Sequence, residues 1–549
     1  MRKPVLMYAL VSALSGILVL QRFPAPTPEE RSVRVANVHG PKLLLILVID
    51  QFRYDYLERF RPYFVGRGFN LLLGGANFVD CRYDYATTVT CAGHATLLTG
   101  AYPNVHGIIA NEWFDNRSYR KVYCAEDSGT TLVGGPVGPG MSPRKLMGST
   151  LGDELRLATG FQSKVVAISL KDRASIMPGG HTANAAYWYD AASGHFVTST
   201  YYMQALPSWV AAFDQALPAK AYCGKAWQAL PETPGAGGQV LKQFTPGLLA
   251  QPCPDSQFLG WLNATPYMTE IELSFALEAV KQERLGQGAT TDLLALSLSE
   301  NDYIGHGYGP YSVEVADVTI RTDRYLADFL NSLDRLVGLD NVWIAFSSDH
   351  GVAPTPAFSV EHHLSGPAAA PLAVGAAVED ALSKAFGAGP WVEDVDEFYI
   401  NLNRFTLQKR ATDLAKAEAI AAEAAASVPG VRAAFTHTQL TQLQLLQGSL
   451  LYSPIMRKAS NSFNEQRSGD VFMVQEPFAV TIPPGTGSNH GALWNYDAQV
   501  PLILWGSVFK PGIYAVPCQP IDLAPTLAVA LGLTQPSGAQ GRPLSIALK

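Results

Sequence analysis

Three carboxylates and three imidazoles stand in this chain where an apolar run has just ended or is about to begin. Asp50 closes the run Leu43 to Ile49, and Asp302 and His306 follow Leu293 to Leu296. Asp349 and His350 follow Val342 to Phe346, and His490 shortly precedes Val500 to Trp505. Imidazole nitrogens mixed with carboxylates suit zinc-type ions better than magnesium or calcium, which prefer oxygen alone. With the Thr90 oxygen added, the set falls one short of filling two tetrahedral ions, which leaves one position for a substrate. Two such ions side by side suit in-line displacement at phosphorus.

Thr90 begins the segment Thr90-Cys91-Ala92-Gly93-His94, and the apolar Ala95 to Leu98 that follows predicts a buried helix. A threonine in that place is ordinarily an N-cap. Beside metal ligands it gains a second use, because free N–H groups and the helix dipole favour an oxyanion and a phosphoryl group. A further apolar run, Val165 to Ile168, delivers Lys171 and Arg173. His94, His106, His362 and His363 follow no strand end and are not counted as ligands. His94 is expected to support the helix of Thr90, and His106 the turn before Gly107.

Apolar runs without alternation are strands buried on both faces, as in a parallel sheet covered by helices. Several such strands ending in Asp, His, Lys or Arg predict a site beyond their carboxyl ends, where open α/β sheets bind ligands. The candidate strand Tyr83–Val89 leads into the helix of Thr90, and residues 311–336 carry clear helical periodicity. Residues 131–143 read as a turn-rich loop, and residues 185–265 as an excursion with little periodicity. The 139 residues between His350 and His490 exceed one crossover. Within them, Trp391 to Leu402 and Val431 to Phe435 predict strands and 411–427 a helix. A small α+β subdomain is therefore expected at about 370–440.

The chain has 549 residues, 48% hydrophobic and 16% charged, with a formal net charge of −7, so it is globular and has no basic footprint for nucleic acid. Arg2 and Lys3 precede an apolar segment from Pro4 to Leu20, which reads as a secretory signal peptide over 1–26. The segment is long and lacks an A-x-A site, so an uncleaved single-span anchor is the alternative. A linker is expected over 27–41 and one catalytic domain over 42–549, in a periplasmic or extracellular protein. Six cysteines (Cys81, Cys91, Cys124, Cys223, Cys253, Cys518) permit three disulfides, and their spacing does not choose the pairing.

Together, Asp50, Thr90-Cys91-Ala92-Gly93-His94, Asp302-x-x-x-His306, Asp349-His350 and Asn489-His490-Gly491 resemble the alkaline phosphatase superfamily, in its type I phosphodiesterase and nucleotide pyrophosphatase branch. Tyr102-Pro103-x-x-His106-Gly107 and Ile521-Asp522-Leu523-Ala524-Pro525-Thr526 add to the likeness, which covers roughly residues 42–545 and is nearest to the zinc alkaline phosphatases of the PafA/PhoK type. The resemblance implies an α/β fold, a mostly parallel central sheet sandwiched by helices with inserted cap regions. It implies one zinc ion on Asp50, Thr90, Asp349 and His350 and another on Asp302, His306 and His490. Asn111, Lys171 and Arg173 would hold phosphate oxygens, and Lys171 would stand in place of a third metal ion. Thr90 would form a phosphothreonine intermediate with small phosphate monoesters, in a monomeric enzyme without membrane attachment once the signal is removed. Glu300-Asn301 stand where this family would have a small Ser or Thr. A phosphodiesterase or nucleotide pyrophosphatase with the same metals is the alternative, and a binding module on a dead site is a second. A sulfatase is set aside because Cys91-Ala92-Gly93-His94-Ala95 lacks the arginine its cysteine motif needs. Phosphoglycerate mutases are set aside because they use serine and prefer manganese.

Overall fold

The computed structural model describes residues 40–246, 252–364, 370–445, 453–479, 481–482 and 487–549. The expected signal peptide and nearly all of the linker lie outside the described residues. Eight strands carry the central sheet: β1 (Leu43–Ile49), β2 (Ala76–Arg82), β3 (Val165–Ser169), β4 (Ala185–Asp190), β5 (Asp292–Leu298), β6 (Val342–Ser347), β7 (Gln499–Trp505) and β8 (Gly512–Tyr514). Their spatial order is β8-β2-β7-β6-β1-β5-β3-β4, continued by His195–Ser199, Glu126–Val133 and Pro139–Met141. From β6 to β4 every pairing is parallel. β7 runs against both of its neighbours.

Every residue of β1 is buried, as its unbroken apolar sequence requires. Leu44, Ile46 and Val48 pack on one side with Ala92, Ala95 and Leu98 of α1 (Thr90–Thr99) and with Leu523 and Leu527. Leu43, Leu45, Leu47 and Ile49 pack on the other with Phe275, Val318 and Leu326 from two long helices. Each fully buried leucine contributes on the order of 2 kcal/mol. Those helices, Pro266–Gln282 and Val313–Val337, complete the second helical layer, the latter close to its predicted span. In-register pairing of Ile49 with Leu298 and of Val48 with Ser347 brings the ends of β1, β5 and β6 to one level.

Some expectations differ from what forms. Tyr83–Val89 is irregular, because β2 ends at Arg82 and the segment's N–H groups turn to Ala498 and to the Ser462 hydroxyl instead of a ladder. Residues 185–199 belong to the sheet as β4 and its antiparallel neighbour, so the excursion begins after them. The turn-rich 131–143 forms the end of a hairpin that pairs with that neighbour.

The inserted subdomain has its own core, built from Val374, Leu382, Trp391, Ile400 and Ala421. Its antiparallel sheet runs Val392–Val395, Tyr399–Leu402, Val471–Gln475 and Val431–Thr436 in space, with helices Pro371–Phe386 and Leu414–Ala426 packed on it. The strand expected across 391–402 is therefore a hairpin with a tip at 396–398. Its sheet also takes in a strand beyond 440. Disulfides join Cys91 to Cys124 and Cys223 to Cys253, while Cys81 and Cys518 are buried thiols.

Candidate active site

The site lies where β1, β5, β6 and β3 end. Asp50 follows β1, and Asp349 and His350 follow β6, all three fully buried. Asp302 and His306 sit one turn apart on the helix Glu300–Tyr308 after β5, with His306 Nε2 3.2 Å from Asp302 Oδ1. His490 arrives from an irregular segment, its ring stacked on His350 at 3.5 Å between centroids and its Nε2 3.6 Å from Asp302 Oδ1. His350 Nε2 lies 3.5 Å from Asp50 Oδ1 and 3.2 Å from Asp349 Oδ2. Two groups of side chains have potential ligand atoms within 4.8 Å of one another: Asp302, His306 and His490, and Asp50, Asp302 and His350.

The backbone sets the tautomer of all three histidines. Nδ1 of His306 faces the Ser488 carbonyl at 3.0 Å, that of His350 the Gly351 carbonyl at 2.9 Å, and that of His490 the Thr88 carbonyl at 2.9 Å. A carbonyl only accepts, so each Nδ1 carries a proton and each Nε2 is turned inward, as in metal-bound histidines; at His306 burial is outweighed by the Asp302 carboxylate, which raises the pKa. Burial pushes the His350 and His490 pKa values down, His490 further because of His350 and His306, which keeps both rings in the neutral ligating form. Asp50 Oδ1, Asp349 Oδ2 and His350 Nε2 are buried without hydrogen-bond partners. Burial and the Asp349 charge push the Asp50 carboxyl well up. Partnerless acceptors on crowded carboxylates and neutral imidazoles fit divalent cations of the zinc class.

One cation is built in. Lys171 Nζ donates to Asp50 Oδ2 at 2.6 Å and to Asp302 Oδ2 at 2.5 Å, with 3% of its side chain exposed. Burial works against its charge, but the Asp302 and Asp50 carboxylates outweigh it and raise its pKa. Lys171 is placed by its position as N-cap of the helix Asp172–Gly179, immediately after β3.

Thr90 opens α1 with Val89 as N-cap, and no side chain caps the helix. Its carbonyl accepts from His94 Nδ1 at 2.9 Å, and the same nitrogen lies 3.2 Å from Asp349 Oδ2. The helix and Asp349 approach closely, since a Cβ on Gly93 would collide with the Asp349 carbonyl and stand 2.7 Å from Asp349 Cβ. His94 thus braces the helix as expected, with Nε2 on the Ser297 hydroxyl at 2.7 Å. His106 Nδ1 accepts from the Ile108 N–H at 3.1 Å, within the turn it was expected to support.

Asn111 and Arg173 line a cavity of about 320 Å³. Asn111 Oδ1 accepts the Cys91 N–H at 2.8 Å, so its amide NH2 is the end left to donate elsewhere. Arg173 NH1 donates to the Tyr123 hydroxyl at 3.2 Å, and its buried Nε has no protein partner. The Tyr123 hydroxyl in turn donates to Asp172. The Cys91–Cys124 disulfide ties the start of α1 to the hairpin that carries Tyr123.

Several residues of the site escaped sequence reasoning. Gln51 adopts φ 61°, and from there donates its N–H to Asp349 Oδ1 at 3.1 Å and its amide to Asp302 Oδ1 at 2.7 Å. Its place next to Asp50 was the available signal. Asn301 donates to the Asp50 and Gln51 carbonyls at 3.0 and 3.1 Å, which gives the departure from a small residue a purpose. Glu397, at the tip of the inserted hairpin, has its carboxyl raised to about 7 by burial and by Asp396. No local pattern points from that tip to the site.

Residues 44–481 match the model of the type I phosphodiesterase / nucleotide pyrophosphatase family. The chain belongs to this family. It is 35% identical to alkaline phosphatase PhoV of Synechococcus elongatus, over 94% of this chain and 95% of that one. It is 34% identical to a Myroides odoratus protein named calcium-transporting ATPase, over 93% and 96% of the two chains. That name belongs to that protein; among the described residues here, no helix is long and apolar enough to cross a membrane. The crystal structure of wild-type alkaline phosphatase PafA superposes with a TM-score of 0.84 at 32% identity, covering 93% of this chain and 99% of that one. A solved PafA variant, with a threonine changed to serine and an asparagine, a lysine and an arginine to alanine, superposes with a TM-score of 0.83 at 31% identity, with the same coverage.

Proposed function

We propose that the chain is an exported alkaline phosphatase that hydrolyses phosphate monoesters at a two-zinc site, with Thr90 as nucleophile. The observation that carries this reading is the convergence of three inward-turned Nε2 atoms and three carboxylates beside the uncapped start of α1. Asp50, Thr90, Asp349 and His350 would hold one ion and Asp302, His306 and His490 the other, supplying Lewis acidity to the attacking and leaving oxygens.

The remaining work falls to the chain itself. The Thr90 oxygen bonds to phosphorus as the bond to the leaving oxygen breaks, and water later breaks the threonine ester to release phosphate. The free N–H groups of α1 favour negative charge at that oxygen. Asn111, oriented by the Cys91 N–H, offers its NH2 to one nonbridging oxygen. Arg173, held by Tyr123, offers its partnerless Nε to another. Lys171 supplies fixed positive charge between Asp50 and Asp302, where a third metal ion would otherwise be called for. Four of these residues are of the types replaced in the PafA variant.

The family's own description supports a second reading, cleavage of diesters or pyrophosphates by the same metals. The buried Lys171 and the half-buried Arg173 favour the monoester, whose dianion has more charge to neutralise. Two disulfides support export to an oxidising compartment, and a monomer is proposed with it. The reading is tested by quenching the enzyme in acid during turnover of a labelled monoester and mapping the label. Label on Thr90 is expected; label on any other residue removes Thr90 from the mechanism.

A further inference from the structure

The phosphoryl position is closed on most sides. Thr90, Asp50, Lys171, Asp349 and His350 are each no more than 5% exposed. Beside these residues, Asn111 and Arg173 share a cavity with Trp113, Lys121, Glu397 and Phe398. On the monoesterase reading, this cavity can take the organic part of a bound monoester.

One wall of that cavity comes from the inserted subdomain. Its hairpin tip is seated on the segment that carries His490: the Phe398 ring stands 3.1 Å from where a Cβ on Gly491 would be, and Glu397 Oε2 stands 3.5 Å from it. Gly491 has φ 109°, a conformation that L side chains rarely adopt, so glycine there permits both the turn and the approach. Asn489, one residue before His490, is among the groups that act on the Glu397 carboxyl. The tip itself is firm, because Asp396 accepts the N–H groups of Phe398 and Tyr399 at 2.8 and 2.7 Å.

The charges around the cavity are unevenly spent. Lys121 is paired with Asp394 at 3.2 Å, Asp396 is occupied by two backbone amides, and Arg173 lines the cavity with Asn111. Glu397 lines the same cavity with Glu112, Trp113 and Phe398; among the described residues no lysine or arginine pairs with it, and His306 is the basic group that acts on its carboxyl.

We infer that Glu397 and Phe398, with Trp113, form a leaving-group wall that selects monoesters with flat or apolar, uncharged or cationic leaving groups. Phosphoryl compounds whose leaving group bears further negative charge are disfavoured. The inference rests on the monoesterase reading.

It is tested by kcat/KM for phenyl phosphate, phosphoethanolamine and inorganic pyrophosphate in the wild-type enzyme and in Glu397→Gln and Glu397→Lys. Comparing each substrate with itself across variants cancels its intrinsic reactivity. Removing one like charge a few ångströms from the leaving group should raise pyrophosphate cleavage relative to phenyl phosphate roughly three- to tenfold. Glu397→Lys should raise it further and lower phosphoethanolamine. Phe398→Ala should raise KM for phenyl phosphate and leave that for methyl phosphate near wild type. Ratios that stay within about twofold in both Glu397 variants would overturn the inference. Failure of the monoesterase reading shows separately, as wild-type preference for a diester.

Discussion

Arg173→Ala probes the interaction that distinguishes a monoesterase from a diesterase. The guanidinium is held on one side by the Tyr123 hydroxyl at 3.2 Å and presents a buried Nε without a protein partner. Burial opposes its charge, yet Tyr123 and Asp172 raise its pKa, so it stays cationic throughout the working range. Asp172 does not absorb that charge as a simple ion pair. Its carboxylate accepts the Arg173 backbone N–H at 2.6 Å and the Tyr123 hydroxyl. Deleting a charge-assisted hydrogen bond in a dry site costs about 2–4 kcal/mol, or roughly thirtyfold to a thousandfold in rate. A diester has one such oxygen alkylated and gains less from the cation, so its rate should fall much less. Lysine at this position restores charge but not the planar fork, and should recover the rate only in part. The assay is kcat/KM for a monoester and a diester with the same aryl leaving group, on wild-type enzyme, Arg173→Ala and Arg173→Lys. Equal losses on both substrates would refute the reasoning, because they would mean that the guanidinium only braces the hairpin.

Thr90→Ala should lower monoesterase activity by several orders of magnitude with the fold retained, and Thr90→Ser should keep much of it; circular dichroism and initial rates decide. Gly93→Ala forces a Cβ against Asp349 and should cost about 1–3 kcal/mol in stability, seen as a lower Tm, and weaken metal retention on dialysis. Thiol titration of the denatured, unreduced chain should find two thiols, Cys81 and Cys518. Replacing both Cys91 and Cys124 by serine should destabilise the chain by about 3–4 kcal/mol, from the 33-residue separation they close, as read from chemical denaturation.

The parallel heart of the sheet was legible because its strands are apolar on both faces. The runs beginning at Leu43, Val165, Leu293 and Val342 could be nothing else once their ends carried chemistry. The polar residues gathered at the site were legible for the same reason, as polarity resumes where the strands stop. The margins were not. β4 and its antiparallel neighbour, within 185–199, are rich in aromatics and interrupted by a turn, and only pairing with β3 makes them part of the sheet. Tyr83–Val89 has the composition of a strand, but Ser462 and Ala498, hundreds of residues away, take its N–H groups. Gln51, Tyr123 and Glu397 act through neighbours that spacing cannot encode, across β1, a disulfide-tied hairpin and an inserted subdomain.

The central claim is a zinc-dependent monoesterase. Its most direct test is one preparation whose metal is counted and whose monoester and diester rates are compared before and after chelation. Two zinc ions per chain, loss of activity with a chelator and recovery with zinc are expected. So is a kcat/KM for the monoester far above that for the diester at alkaline pH. Full activity without transition metal, or a preference for the diester, would contradict it.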